Sequence, residues 1–152
     1  MWTYFSSDVD PALRQRAEYP LDDARREKFF SASLPVLNKV IGFGANKDTG
    51  MLLAPTAHYF MKLLNGMLRY NPALVLRMAR DVVMSSERFN FTIDSLALGE
   101  AVQLVESLLA DHRAQIQDDA SIKNLVELLD CFAEVGWPEA LQLVWRLDEI
   151  YR

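Results

Sequence analysis

A glycine-rich segment at residues 42–50, Gly-Phe-Gly-Ala-Asn-Lys-Asp-Thr-Gly, has residue types suited to holding a phosphate. Glycine lets backbone N–H groups approach an anion closely, and Lys47 would add positive charge. Known phosphate loops follow a strand, and they require Gly-Lys-Ser/Thr or Gly-x-Gly-x-x-Gly, neither of which occurs here. The sequence therefore favours a plain loop in which Gly42 or Gly44 caps the preceding helix.

A second candidate site is a polar stripe with spacings of four, three and four residues: His58, Lys62, Asn65 and Arg69. This spacing puts the four side chains on one face of a helix, where they would suit an anionic ligand or an acidic peptide. A solvated helix face explains the same pattern and is favoured, because helices of globular domains ordinarily carry one polar face.

The histidines and the cysteine do not form a pattern typical of catalysis or metal binding. His58 and His112 have no histidine or cysteine at helical ligand spacing, and a metal site needs three or four converging ligands. Cys131 lies near Glu127 and Glu134 on its helix, where carboxylates disfavour a reactive thiolate. We therefore expect a structural cysteine, no metal, no cofactor and no enzymatic activity.

The segments that would position these residues are all predicted to be helical. Caps and apolar spacing predict about seven helices, or eight if Pro35 divides the second. They cover residues 11–18, 22–43, 54–70, 72–86, 96–113, 121–135 and 138 to the C-terminus. The predicted fold class is all-α, with antiparallel helical hairpins in a solenoid-like arrangement or an irregular bundle.

Apolar residues at steps of three and four predict the inward face of each helix. Across Pro35 the pattern stays in phase, which favours a kink over two separate helices. For residues 121–135 we expect Ser121 as the cap and Gly136 as the end. The predicted inward set of that helix is Ile122, Leu125, Val126, Leu129 and Phe132.

Length and composition bound the class of protein. The chain has 152 residues, 51% apolar and 24% charged, which fits one globular domain at residues 1–152 or a fragment of a larger protein. The net charge of −5 argues against broad binding to nucleic acid. No long apolar run predicts a membrane span, and one free cysteine without an export signal predicts a cytoplasmic location.

Charge is distributed unevenly along the chain. Residues 1–76 contain nine basic and seven acidic side chains, whereas residues 77–152 contain seven basic and 14 acidic ones, a net of −7. A basic partner surface would therefore prefer the second half of the chain.

The last predicted helix is apolar over most of its circumference, with only a narrow polar stripe. A helix of this kind needs partners on two sides. Leu141, Val144 and Trp145 are assigned inward, and Leu143 lies away from them. The predicted partner-binding residues are Leu143, Trp145, Leu147 and Tyr151.

Residues 128–141, Leu-Leu-Asp-Cys-Phe-Ala-Glu-Val-Gly-Trp-Pro-Glu-Ala-Leu, resemble the helical hairpin of tetratricopeptide- or HEAT-type repeats. In such hairpins one helix ends near a glycine, an aromatic residue sits at the turn, and a small residue, here Ala140, permits close packing. With Ala140 on the small position, the usual Trp, Leu and Gly of the first tetratricopeptide helix fall on Asn124, Glu127 and Leu128. The resemblance covers about the last 32 residues and implies stacked hairpins.

These features favour a non-catalytic protein-interaction or scaffold domain in a larger protein or assembly. Its partner would be another protein or a second copy, bound through the last helix, with no nucleic acid and no membrane involved. The alternative is a regulatory domain that binds a small ligand or nucleotide. It would use residues 42–50, including Lys47, and the stripe that contains His58, Lys62 and Arg69.

Overall fold

The computed structural model describes residues 22–44, 54–88, 95–136, 138 and 141–145. Within these ranges there is no strand, which confirms the all-α prediction for this part of the chain. The five α-helices there are α1 Asp23–Gly44, α2 Ala54–Met67, α3 Pro72–Arg88, α4 Ser95–Asp111 and α5 Asp119–Val135. Residues 141–145 are also helical, and a 3-10 helix at Arg113–Gln115 follows α4. The helix predicted at residues 11–18 lies outside the described residues.

Helix α1 is continuous through Pro35, so the proline does not divide it. Its apolar spacing is confirmed, because Phe30, Leu37 and Ile41 are buried and Leu34 packs at the core's edge. The helix also continues through Gly42 to Gly44, which corrects the expectation that a loop opens at residue 42. Lys47 and the rest of that predicted loop lie outside the described residues.

A tight turn at residues 68–70 separates α2 from α3. Asn71 caps α3, since its Oδ1 accepts a hydrogen bond of 3.1 Å from the backbone N–H of Leu74. Pro72 then occupies the first helical position, where its missing N–H costs nothing. Asn71 and Pro72 thus fix the start of the helix predicted at residues 72–86.

The helices pack mainly against the next but one in the chain. The most extensive contacts join α2 to α4 and α3 to α5, and α1 also packs on α3. Helix α3 additionally contacts α2 and α4, so it touches each of the other four α-helices. The pairings therefore group α1, α3 and α5 on one side and α2 and α4 on the other.

All five α-helices contribute to the core, and α2, α3 and α4 supply most of its residues. On α3 the apolar spacing predicts an inward face made of Val75, Met78, Ala79, Val82 and Val83, and all five are buried. The connection between α4 and α5 is not purely polar, because Ile116 within it is buried in the same core. No helix among the described residues combines the length and apolarity needed to cross a bilayer.

Candidate functional site

Helix α5 is fixed at both ends by local interactions. Asp118 is its N-cap, with Oδ1 accepting a hydrogen bond of 2.9 Å from the backbone N–H of Ser121. The predicted cap, Ser121, instead lies inside the first turn and is buried. Asp118 is the cap because its side chain accepts from the backbone N–H three residues later, which is a usual spacing between an N-cap and its donor. Gly136 ends the helix as predicted, with a left-handed φ of 68°.

Hydrogen bonds from the Ser121 hydroxyl and backbone hold the pKa of Asp118 below its ordinary value. Its carboxylate therefore stays charged over the neutral range, at the helix end where the macrodipole favours negative charge. The start of α5 is thus set by a local interaction that does not depend on tertiary packing.

The inward side of α5 differs from the predicted one. Leu125 and Phe132 are buried as expected, and Leu128 and Cys131 join them. Ile122 and Val126 were predicted inward, but their relative exposures are 47% and 49%. The helix carries apolar residues over too wide an arc for one core to cover, and the buried part is the arc centred on Leu125 and Phe132.

The uncovered arc forms what we call the α5 stripe: Ile122, Val126, Leu129 and Ala133. These residues follow one another at steps of four, three and four, so they line up along one side of the helix. Ile122, Val126 and Ala133 are exposed, and Leu129 packs at the core's edge. Eleven residues of helix make the α5 stripe about 16 Å long.

Three exposed acidic residues form the acidic flank of the α5 stripe: Asp119, Asp130 and Glu134. Steps of eleven and four residues return them to one side of the helix, beside Val126 and Ala133. Within the described ranges none of the three has an ion-pair partner. The flank also includes Lys123, whose Nζ lies 3.9 Å from Glu127 Oε1.

A fourth carboxylate of α5, Glu127, is neutralised within the fold. Arg80 on α3 donates from Nε to Glu127 Oε2 at 2.6 Å, and it also pairs with Asp81. Hydrogen bonding to Asp81, and then to Glu127, raises the pKa of Arg80 above its ordinary value. The ion pair of Arg80 with Glu127 joins α5 to α3. Because Arg80 is bound to Glu127 and Asp81, its positive charge does not compensate the acidic flank.

The predicted C-terminal binding residues divide between core and surface. Leu143 was expected to face away from the core, but it is only 3% exposed and belongs to the core cluster. Trp145 was assigned inward, but it is 67% exposed. The two assignments are therefore reversed within residues 141–145. Leu147 and Tyr151 lie outside the described residues.

The predicted polar stripe on α2 is not a simple solvated face. Asn65 Nδ2 donates to the backbone carbonyl of Glu100 at 3.1 Å and to its Oε2 at 3.2 Å. Lys62 Nζ lies 3.8 Å from Glu100 Oε1, with both side chains less than a quarter exposed. Glu100 on α4 is thus the centre of a polar contact that joins the two helices.

His58 and Arg69, the ends of that stripe, have different surroundings. The His58 ring lies 5.3 Å from the Tyr59 ring, and its Nδ1 is buried without a hydrogen-bond partner in the described part of the chain. Arg69 lies over the ring of Tyr70, at 4.8 Å, and donates to its hydroxyl at 2.6 Å. The structure therefore does not bring His58, Lys62 and Arg69 together as one cationic site.

A concavity of about 400 Å³ lies beside Arg69, lined by Ala24 and Glu27 of α1 with Arg69 and Tyr70. Tyr70 stacks on Phe30 of α1, with ring centroids 5.8 Å apart. The concavity contains one carboxylate and one guanidinium, so it offers no net charge to a ligand. It lies where α1 packs against the turn that follows α2.

Cys131, the one cysteine in the sequence, is buried on the inward side of α5. In the ranges that the structure describes, no three His, Cys, Asp or Glu side chains are grouped so as to hold a metal ion. The acidic flank, for example, spreads along about four turns of helix instead of converging on one point.

The sequence prediction missed the α5 stripe because it placed Ile122, Val126 and Leu129 on the same inward side as Leu125 and Phe132. One signal was available: Ser121, Leu125, Leu128 and Phe132 form an equally regular stripe. Two apolar arcs on one helix indicate that it has two faces to cover.

No family model matches the chain, and no curated protein or solved structure matches it closely enough to show a relationship. Neither a family nor an activity comes from these comparisons, and the geometry of α5 carries the functional proposal.

Proposed function

We propose that this chain is a non-catalytic protein-interaction domain and that it binds its partner through the α5 stripe. One observation carries the proposal: Ile122 and Val126, one turn apart, are half exposed on a helix whose opposite side is in the core. Single exposed apolar residues are ordinary on protein surfaces, but aligned ones indicate a contact surface. Val36 and Tyr59, by contrast, are exposed singly on α1 and α2.

Magnitudes limit what the α5 stripe contributes by itself. Fully burying a valine or isoleucine is worth about 1.5–3 kcal/mol, so covering a half-exposed one yields about 1 kcal/mol. Two such residues therefore add about 2 kcal/mol, which is well short of the roughly 8 kcal/mol of a micromolar complex. A partner must also use other contacts, and the exposed indole of Trp145 is a suitable anchor because tryptophan is enriched among binding hot spots.

The packing order supports a stacked-hairpin architecture as part of this proposal. In a two-layer helical solenoid, each helix packs on its equivalent in the next hairpin, two helices further along the chain. Contacts of α1 with α3, α2 with α4 and α3 with α5 follow that order. In this interpretation α5 is the outermost described helix of its layer. Because α1 is continuous through Pro35, seven helices in total remain the prediction.

The small-ligand alternative has less support. Lys62 and Asn65 already hold Glu100, so an anionic ligand would have to displace a carboxylate of the protein itself. Lys62 and Arg69 also contact different elements. No described contact favours nucleotide binding over the interaction surface.

Selection from a displayed library of helical peptides of mixed charge tests the proposal. The whole chain is the bait, and the variant Ile122→Ser/Val126→Ser is the counter-selection. We expect peptides that bind the wild type and lose at least about tenfold in affinity on the variant, which corresponds to about 1.4 kcal/mol.

The matched control is Val36→Ser, which removes an equally exposed apolar side chain from α1. It should leave peptide binding unchanged, and all variants should keep the wild-type melting temperature within a few degrees. Failure to enrich any peptide whose binding depends on Ile122 and Val126 would refute the proposed function.

A further inference from the structure

We infer that the partner of the α5 stripe is an amphipathic helix whose apolar face is bordered by lysine or arginine. This inference rests on the proposed function and adds the chemistry of the partner. It uses the charge beside the α5 stripe and the stripe's geometry.

The charge argument starts from the acidic flank. Asp119, Asp130 and Glu134 are exposed and have no ion-pair partner among the described residues. Across residues 118–136 there are five acidic side chains and one basic one, and Arg80 and Lys123 are both directed at Glu127. A partner with basic residues beside its apolar contact would therefore meet opposite charge, whereas an acidic partner would be repelled.

Geometry favours a helix as the bound element. The α5 stripe is straight, about three turns long and one side chain wide, which is the surface that a second helix covers by packing ridges into grooves. A strand would need backbone partners to pair with, and a helix face offers none because its N–H and C=O groups are bonded within the helix.

A second copy of this chain is a poor occupant of the same face. In a symmetric antiparallel pair of α5 helices, the same flank of each helix faces its counterpart. Each flank carries three acidic residues and Lys123, so two surfaces that each have a net charge of −2 would then face one another. The repulsion would oppose the small apolar gain from Ile122 and Val126.

Defined peptides test the inference on the whole chain. The first probe is a helical peptide of about 18 residues, or about 27 Å, with leucines along one face and lysines beside them. The second probe has glutamate in place of each lysine. We expect the lysine peptide to bind at least about tenfold more tightly in fluorescence anisotropy. The preference should shrink as salt rises from about 0.01 M to about 0.15 M, since the screening length falls from about 30 Å to about 8 Å.

Substitutions test whether the preference for the lysine peptide depends on the acidic flank. Asp130→Lys/Glu134→Lys should abolish or reverse the preference for the lysine peptide. The control Asp111→Lys, an exposed acidic residue at the end of α4, should keep it. Ile122→Ser/Val126→Ser should weaken binding of the lysine peptide, which separates docking on the α5 stripe from general attraction to an acidic protein.

Three results would overturn the inference. If both peptides bind equally tightly and Ile122→Ser weakens both, the proposed interaction function holds but the partner need not be basic. A dimer in light scattering that Ile122→Ser dissociates would identify a second copy as the occupant. A large fall in melting temperature in Ile122→Ser, without a change in binding, would show that the chain itself covers the α5 stripe.

Discussion

The polar side of α2 and the outward side of α5 depart from expectation in opposite directions. On α2, Lys62 and Asn65 were assigned to solvent, but they hold Glu100 at the contact with α4. On α5, Ile122 and Val126 were assigned to the core, but they are half exposed. Polarity alone therefore predicted the wrong side at both positions, although both helices were located correctly.

The difference between the two helices teaches what decides a side chain's position. Helix α2 packs on both α3 and α4, so its second contact covers part of the polar side. The polar residues there are satisfied by a carboxylate and a carbonyl, which makes their burial tolerable. Among the described α-helices, α5 packs extensively on α3 alone, and its second apolar arc stays uncovered. Whether a side chain on these two helices is covered therefore depends on how many helices pack on its own helix, and not on the polarity of the residue.

The strongest test of this comparison contrasts the two sides of α5. Phe132→Ala should lower the free energy of unfolding by about 3–5 kcal/mol, because Phe132 is completely buried and truncation leaves a cavity. Val126→Ala should change it by less than about 0.5 kcal/mol. Urea denaturation followed by circular dichroism measures both, and similar losses in the two variants would contradict the assignment of faces.

The next largest effect is expected at Leu143. Leu143→Asp should destabilise the protein by about 2–3 kcal/mol, since local detachment of residues 141–145 hydrates the charge at the expense of the buried leucine contact. Trp145→Asp, two residues away and exposed, is the control and should melt like the wild type. A Leu143 variant with an unaltered melting curve would place this side chain outside the core.

A smaller loss is expected at the contact between α2 and α4. Glu100→Ala should cost about 1 kcal/mol, because it removes the carboxylate that Lys62 and Asn65 contact, while Asn65 keeps its bond to the backbone carbonyl of residue 100. Gln103→Ala on the same helix is exposed and should be close to neutral. If the two variants have the same melting temperature, the contact of Glu100 with α2 does not contribute to the stability of the fold.

The smallest effect concerns the cap of α5. Asp118→Ala should lower the melting temperature by a few degrees at neutral pH, because the first turn of α5 loses its side-chain acceptor. The lowered pKa of Asp118 means that its stabilisation is complete above the ordinary aspartate pKa of about 3.9 and is lost as the pH falls through the folded value. The gap between wild type and variant should therefore narrow in acid, and a gap that widens would contradict the capping role.

Local signals in the sequence predicted most of the helices within the described residues. Asn71-Pro72, Gly136 and the phase of Phe30, Leu37 and Ile41 each act within a few residues, so one sequence suffices to read them. The α5 stripe and the Glu100 contact depend on which helices become neighbours, and periodicity does not carry that information. The reversal of Leu143 and Trp145 has the same cause, since both suit an apolar face and only packing chooses between them.

The position of α3 against all four other α-helices has a consequence for local opening. A helix at the periphery can detach while the rest of the domain stays folded, but α3 cannot leave without losing its contacts with all four other α-helices, after which only the contact of α2 with α4 remains among the major ones. The backbone amides of α3 near Met78 and Val82 should therefore exchange with deuterium only through global unfolding. Those of α1, whose main contact among the described α-helices is with α3, should exchange through smaller openings at lower free energy.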